Sequence, residues 1–349
     1  MFDVPSEKNS VVTIAPLPAL EKPWLIGLIV GPSGSGKTTT ARKRWPNQPS
    51  FEWPHDKSIL DAFPSHLSVK EITGALSSVG FSSPPSWLRP YHALSNGEQF
   101  RVTVARALME ITDAPIVIDE FTSVVDRTVA KVTSAAISKA LRRRKQQFVA
   151  VSCHYDVTDW LQPDWVFQPH TGELVWRSVQ SRPSIELEVR HVNRAAWDIF
   201  KRHHYLSGDL APAARCFVAL VDGEPAAFTA VTNFPHPTAS GWREHRTVCL
   251  PDYQGVGIGN AMSSHVAAIF AATSRPYYST TSAPGMIWHR AKSKDWLMTR
   301  KPNMVRPHRG RMPSFNKTAS MTRITASFRY VGPRANEAAQ ALGIIPAIA

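Results

Sequence analysis

The sequence predicts an α/β protein of two domains, and three observations predict it. Its 349 residues exceed what one ordinary core accommodates, since single domains usually run to about 100–200 residues. Short apolar runs alternate with helix-length segments through the first half, the order that a parallel sheet with crossover helices demands. Within "PHTGELVWRSVQSRPSIELEV" the texture turns to turn-forming residues and then to strand-like alternation. The domains are therefore expected at 1–178 and 184–330, joined by a linker at 179–183 and followed by a tail at 331–349.

Taken in order, "WLIGLIV", Trp24 to Val30, is a continuous apolar run of the kind that forms a buried parallel strand. Gly31-Pro32-Ser33-Gly34-Ser35-Gly36-Lys37-Thr38 follows and satisfies GxxxxGK[ST], with a helix expected from Lys37. Glycines let backbone N–H groups turn onto phosphates, Lys37 reaches the terminal phosphates and the Thr38 hydroxyl holds Mg²⁺, with Thr39 beside it. Two further apolar runs, "APIVIDE" and "QQFVAVSCH", flank "RTVAKVTSAAISKALRRRK", whose length and spacing read as a helix. Its terminal cations suit a helix C-terminus.

Between and after these runs stand "HALSNGEQFRVTVARAL", "APIVIDEFTSVVD" and "AVSCHYD". With the phosphate loop they resemble, in order and rough spacing over most of residues 20–170, the ATP-binding cassette (ABC) ATPases. Leu94-Ser95-Asn96-Gly97-Glu98 stands where the family has LSGGQ, and Arg101 and Ala105-Arg106-Ala107 echo the run that follows it. The resemblance makes Asp119 the Mg²⁺ residue and Glu120 the carboxylate that polarises the attacking water. It places Asp126 in the D-loop and makes His154 the switch histidine at the γ-phosphate. It also implies a head-to-tail homodimer in which Ser95 and Gly97 close over ATP bound at the partner's phosphate loop. Two departures stand out. The stretch from Thr40 to Leu94 is short for a full helical subdomain, and Gln48 is a poor Q-loop glutamine. Both argue against transport, while Glu98 in place of the signature Gln is shared with soluble ABC ATPases of chromosome maintenance and DNA repair.

The second half opens with "RCFVALVDGEPAAFTAVTNF", a hairpin expected to turn at Asp222-Gly223. Next come the strand "RTVCL", a helix from about Gly259 and the strand "YYSTTS". Gln254-Gly255-Val256-Gly257-Ile258-Gly259-Asn260 lacks the Lys and Ser/Thr of a second phosphate-cleaving loop. It resembles the [RQ]xxGx[GA] loop of the GNAT acyltransferases, read as Gln254, Gly257 and Gly259, over about residues 185–300. That resemblance implies helix N-terminal amides gripping the pyrophosphate of acetyl-CoA, with backbone groups of Val248 and Leu250 on its pantetheine arm. It makes Tyr277, Tyr278 or Ser279 the acid that protonates the departing thiolate. Glu244 and His245, just before the strand, are base candidates or else solvated loop residues. His203-His204-Tyr205 in "HHYLSG" resembles a His-Tyr element of phage-borne GNAT-like proteins, including the Mom type that acylates adenine in DNA. Polar residues at a helix end are more often caps and supporting contacts than catalysts.

The formal net charge of +13 attracts polyanions, nucleic acid first among them. A basic run from Arg290 to Arg311, with Trp288, Trp296 and Phe315, combines cations with stacking surfaces suited to single strands or flipped bases. No apolar run approaches the ~20 residues of a membrane helix, and "MFDVPSEKNS" has no basic region followed by an apolar stretch, so a cytoplasmic location is expected. Cys153, Cys216 and Cys249 form no CxxC pair, which fits reduced thiols. The resulting expectation is an ABC-type domain with a shortened helical subdomain, followed by a mixed α/β GNAT-like domain, using ATP, Mg²⁺ and acetyl-CoA to acylate a nucleic-acid base, DNA above RNA. An ATP-regulated protein or small-molecule acetyltransferase, and a DNA clamp with a non-catalytic second domain, stand as alternatives.

Overall fold

The computed structural model describes residues 14–46, 48, 50–177, 184–204, 209–236, 240–304 and 323–346. The expected linker at 179–183 lies outside them, as do Tyr205, Arg306, Arg309, Arg311 and Phe315. The chain forms two compact units. One comprises residues 1–185 and the short segment 251–256, and the other residues 186–250 and 257–349.

The first unit is a mixed α/β layer structure. Its strands are β1 (Ile26–Val30), β2 (Ile116–Ile118), β3 (Phe148–Ser152), β4 (Trp165–Gln168) and β5 (Glu173–Trp176), in the order β2-β3-β1-β4-β5. β1, β2, β3 and β4 pair in parallel, and β5 closes the sheet as an antiparallel hairpin on β4. β1 and β3 are buried at every position, which is why their sequences run apolar without alternation. Helices α1 (Lys37–Arg44), α2 (Ile59–Ala62), α3 (Val69–Ser78), α4 (Pro84–Trp87), α5 (Asn96–Glu110), α6 (Arg127–Arg144) and α7 (Val157–Leu161) complete the unit. α3 and α5 each begin with a capping box, Ser68 with Glu71 and Ser95 with Glu98, so both starts are written in the local sequence. Trp165 is fully buried, and its ring occupies the space where a side chain on Gly27 would stand.

Gln48 is half-buried and sits on the free edge of β2. Its side-chain amide accepts from Val117 N–H at 3.0 Å and donates to the Pro115 carbonyl at 3.2 Å. It thus extends the sheet as a strand would, and both ends of its amide are used there.

The second unit holds a seven-stranded sheet. Its strands are β6 (Glu188–Val192), β7 (Arg215–Val221), β8 (Glu224–Phe234), β9 (Gly241–Cys249), β10 (Tyr277–Thr281), β11 (Trp296–Met304) and β12 (Ile324–Tyr330), in the order β11-β12-β10-β9-β8-β7-β6. The β7–β8 hairpin turns at Asp222 and Gly223, both at positive φ, the conformation that a two-residue turn needs to follow the strand twist. β9 and β10 form the one parallel pair among the described strands of this sheet, registered at Trp242 with Tyr277 and at Arg243 with Tyr278. Beyond those two positions they part. Helices α8 (Trp197–Phe200), α9 (Ile258–Ala271), α10 (Pro284–Lys292) and α11 (Asn336–Ala341) belong to this unit. α11 lies in the expected tail and is anchored by Ala335 N–H on the Ala268 carbonyl of α9 at 3.1 Å. No helix among the described residues is long and apolar enough to cross a membrane.

Candidate functional sites

The first site grows out of the end of β1. Gly34 and Gly36 both adopt left-handed backbone, and Gly36 caps α1 with no side-chain hydrogen bond into the helix N-terminus, while the Ile14 side chain lies 2.5 Å from where a Cβ on Gly36 would stand. The first amides of α1 therefore face outward as an anion cradle. Lys37 at its start donates to the Pro32 carbonyl at 2.7 Å, which folds the ammonium back over the loop. Thr38 Oγ1 donates to Asp119 Oδ1 at 3.2 Å, and Asp119 also accepts the Glu120 N–H at 3.0 Å. The 81 residues separating Thr38 from Asp119 are closed by the sheet order, because β3 alone stands between β1 and β2. A hydroxyl beside a carboxylate at the mouth of a phosphate cradle is an oxygen donor set that suits Mg²⁺. Ser33 and Thr39 are exposed at the loop, while Ser35 is buried with its hydroxyl unpartnered.

Glu120 is exposed at φ +51, and its carbonyl accepts the Ser123 hydroxyl at 2.7 Å. The Asp126 carboxylate caps α6 by accepting Val129 N–H at 3.0 Å. His154 follows β3 and donates its backbone N–H to Ser152 Oγ at 3.1 Å. The signature residues carry structural duties. Ser95 Oγ accepts the Glu98 N–H, Glu98 Oε2 accepts the Ser95 N–H, and Glu98 Oε1 accepts the Ser86 hydroxyl at 2.9 Å. Gly97 is buried, and a Cβ on it would meet Asp252 Oδ1 at 3.1 Å and Val125 at 3.5 Å. Ser95 is exposed, whereas Gly97 is covered within its own chain.

The second site lies at the start of α9. Gly257 caps it at φ +101 with no side-chain hydrogen bond into the helix, and the space in front of its α-carbon is open. Asn260, in the first turn, has its side-chain oxygen buried without a partner. Orphan amides beside an unfilled left-handed glycine are an arrangement that a pyrophosphate fits. Gly259 packs on Cys249, where a Cβ would stand 3.3 Å from the cysteine Cβ, and Ile258 is buried.

Several expectations at this site are corrected. Gln254, Gly255 and Val256 belong by packing to the first unit, and Gln254 Oε1 accepts the Ser82 N–H at 2.6 Å. Its amide thus serves the fold of that unit. Leu250 donates its N–H to the Ala226 carbonyl at 2.9 Å, so that donor is turned to β8 and away from any pantetheine arm. Val248 is buried opposite Phe228 in the same ladder.

Glu244 and His245 are strand residues of β9, neither loop nor solvated. Glu244 lies where β9 and β10 part and is buried. Its carboxylate accepts from Thr247 and Ser263 at 2.6 Å each, from Ser279, and from Arg290 at 2.9 Å. Burial alone would raise its pKa, but Arg290 and the three hydroxyls together hold it below the usual carboxylate range. Its oxygens are taken up by these hydrogen bonds and the Arg290 ion pair, an arrangement that suits a buried structural carboxylate better than a proton acceptor. His245 is pushed down to about 4 by burial and by Arg246 and Arg243, and its Nε2 accepts the Ala211 N–H at 3.1 Å. Its basic nitrogen is occupied.

Arg290, expected in a basic surface run, is 1 % exposed. Trp296 is 5 % exposed and donates to Ser264 Oγ at 3.0 Å, so it offers no stacking face. Trp288 does, being 61 % exposed with the Lys292 ammonium 4.1 Å above its ring. Tyr278 is half-buried at the last position where β10 pairs with β9, edge-on to Phe234. Tyr277 is fully buried with its hydroxyl unpartnered, and burial with the nearby Glu244 charge pushes its phenol well up. His204 has extended backbone and stands edge-on to Trp197 at 5.7 Å. The partners of Glu244 are not legible in the sequence, because a lone Arg inside a basic run has the signature of a solvated face.

Comparison with known proteins bears on these two sites unequally. The acetyltransferase (GNAT) family model matches residues 157–277, about a third of the chain, including all of β9 and α9. Over that stretch the chain is similar to the GNAT acetyltransferases. None of the curated proteins matches it. Among solved structures it is similar to the dimeric structure of MJ0796, a bacterial ABC transporter cassette, at 16% identity, covering 45% of this chain and 86% of that one with a TM-score of 0.36. The post-hydrolysis MJ0796 dimer bound to ADP and Pi matches at 14% identity over 47% and 97%, with a TM-score of 0.36. CbiO1 of Clostridium perfringens, part of the ABC transporter complex cbiONQ, matches at 18% identity over 44% and 77%, again at 0.36. Likenesses of that size carry no weight for the site, whose description rests on the chain's own geometry.

Proposed function

We propose that this protein is an ATP-hydrolysing, acyl-CoA-dependent N-acyltransferase that modifies a base of nucleic acid, DNA above RNA. The observation that carries the reading is the presence of two unlike anion cradles in one chain. At α1 a lysine, a hydroxyl and a carboxylate converge, with Thr38 and Asp119 at 3.2 Å, as phosphate cleavage with Mg²⁺ requires. At α9 backbone amides and Asn260 stand alone, as suits a pyrophosphate that is held and not cleaved.

In the first unit, Lys37 and the loop amides hold the terminal phosphates, Thr38 and Asp119 hold the metal, and Glu120 orients the attacking water. Two subunits meet head to tail, with Ser95 facing the partner's nucleotide. In the second, the α9 amides fix the cofactor, which supplies an activated acyl thioester. The acceptor amine attacks the acyl carbon, the carbon–sulfur bond breaks, and Tyr278, at the point where β9 and β10 part, protonates the departing thiolate. Glu244 and His245 do not take the amine proton, because one is locked in an ion pair and the other is occupied. His204 with Tyr205 remains the group for that step.

A polyanionic acceptor is supported by a cavity of ≈ 460 Å³ in the first unit, lined by Lys70, Lys139, Arg143 and Arg144. Glu71, the carboxylate there, keeps its charge in the Ser68 capping box, and the four cations outnumber it, which leaves a net positive lining that attracts phosphate. Mass spectrometry of nucleosides from cells expressing the wild type or Gly257→Glu tests the reading. An acylated nucleoside present with the first and absent with the second is expected, and none in either overturns it.

A further inference from the structure

Arg101 of α5 is fully buried, and its guanidinium ties two helices to a distant stretch of chain. It donates twice to Thr133 Oγ1 of α6, at 3.1 and 2.9 Å, and then to the Pro251 carbonyl at 2.7 Å and the Asp252 carbonyl at 3.1 Å. The Asp252 carboxylate stands 3.3 Å away. A buried guanidinium stripped of such partners is strongly unfavourable, so these bonds fix residues 251–252 relative to α5 and α6.

The same segment is held again downstream. Gln254 Oε1 takes the Ser82 N–H at 2.6 Å. Gly80 and Gly255, both at positive φ, touch so closely that a Cβ on Gly255 would fall 2.7 Å from Gly80 Cα, and one on Gly80 2.6 Å from the Gln254 carbonyl oxygen. Neither glycine tolerates a side chain, from conformation and from space. Residues 251–256 are therefore a built part of the ATPase-like unit, although by chain order they join β9 directly to Gly257, the cap of α9.

Two lengths follow from covalent geometry. Arg101 is four residues beyond Gly97, about 6 Å along α5 from its signature end. Gln254 is three residues before Gly257, so the α9 cap lies within about 11 Å of chain from a gripped position. Any displacement of α5 would be passed by the guanidinium to Pro251 and Asp252.

We propose that residues 251–256 are a coupling strap, with Arg101 as its positioning residue, through which nucleotide held at the partner's phosphate loop, against Ser95 at the start of α5, sets the affinity for acyl-CoA at the α9 N-terminus. This rests on the acyl-CoA reading of α9. Coupling between two sites is reciprocal, which makes it measurable from either end.

The test is titration calorimetry of acetyl-CoA into the full chain carrying Glu120→Gln, with and without Mg-ATP, and of ATP with and without acetyl-CoA. The expected result is a change of roughly fivefold or more in each dissociation constant, by the same factor. Arg101→Lys, which keeps charge but loses the fork, and Gln254→Ala, which releases Ser82, each bring that factor toward one. The ratio is the readout, because a plain loss of affinity leaves it unmoved. Acetyl-CoA binding that ignores ATP, or a factor unchanged in both variants, overturns the strap alone. Absence of acetyl-CoA binding in every protein overturns the strap together with the acyl-CoA reading.

Discussion

Glu244 and Arg290 meet at 2.9 Å with side chains 6 % and 1 % exposed, at the point where two parallel strands part. The pair takes the interior of that opening with charge, and Ser263, Ser279 and Thr247 complete its hydrogen bonds. Removing one partner strands the other in a dry site. Glu244→Gln and Arg290→Met are each expected to lower unfolding stability by about 3–5 kcal/mol, measured by urea denaturation. The double replacement Glu244→Gln with Arg290→Met should cost less than the two single losses summed. Additive losses in the double variant would show that the pair is not a unit. Because the folded pKa of Glu244 is depressed, its contribution is complete above the unfolded carboxylate pKa and declines as pH falls through the lower folded value.

His245 supplies the opposite experiment on charge. Its folded pKa of about 4 lies below the ordinary value near 6.5, so between those values the unfolded chain binds the extra proton. Stability should therefore fall as pH drops from about 6.5 toward 4. His245→Gln, which retains an acceptor for Ala211, should flatten that slope. Proton NMR of the ring checks it directly, and a titration near 6.5 would defeat the prediction.

Phosphate release should separate the roles at the first cradle. Glu120→Gln is expected to slow hydrolysis by about 100-fold or more while ATP still binds, and Asp119→Asn to raise the Mg²⁺ concentration that hydrolysis requires. Hydrolysis at wild-type rate in Glu120→Gln would remove that carboxylate from the water-activating role.

At the second cradle, Gly257→Ala adds a methyl into open space but at φ +101, so conformational strain alone should act. A stability loss of about 1–2 kcal/mol is expected, with weakened acetyl-CoA binding by calorimetry. Unchanged binding would separate the cap from the cofactor.

For the basic cavity, Lys139→Glu with Arg143→Glu should weaken DNA binding in fluorescence anisotropy. The slope of log affinity against log salt should flatten by about one for each phosphate that the variant no longer neutralises. An unchanged salt slope would place the polyanion elsewhere.

Sequence alone determined the features whose chemistry is contiguous. The apolar run of β1 leads into Gly31 to Thr38, the capping boxes at Ser68 and Ser95 start their helices, and Asp222-Gly223 turns its hairpin, because each rests on neighbours within a few residues. Even the alternation of strands with helices in the first unit was legible from its apolar runs. What depended on long separations was not. Gln254 reads as a phosphate-loop residue until its partner Ser82, 172 residues away, is brought against it. Arg290 reads as surface charge until the sheet sets it against Glu244, 46 residues earlier. A carboxylate, an amide or a guanidinium carries the same letters whether it faces water or another buried group. Packing alone decides which, since only a folded core removes the water that would otherwise satisfy them.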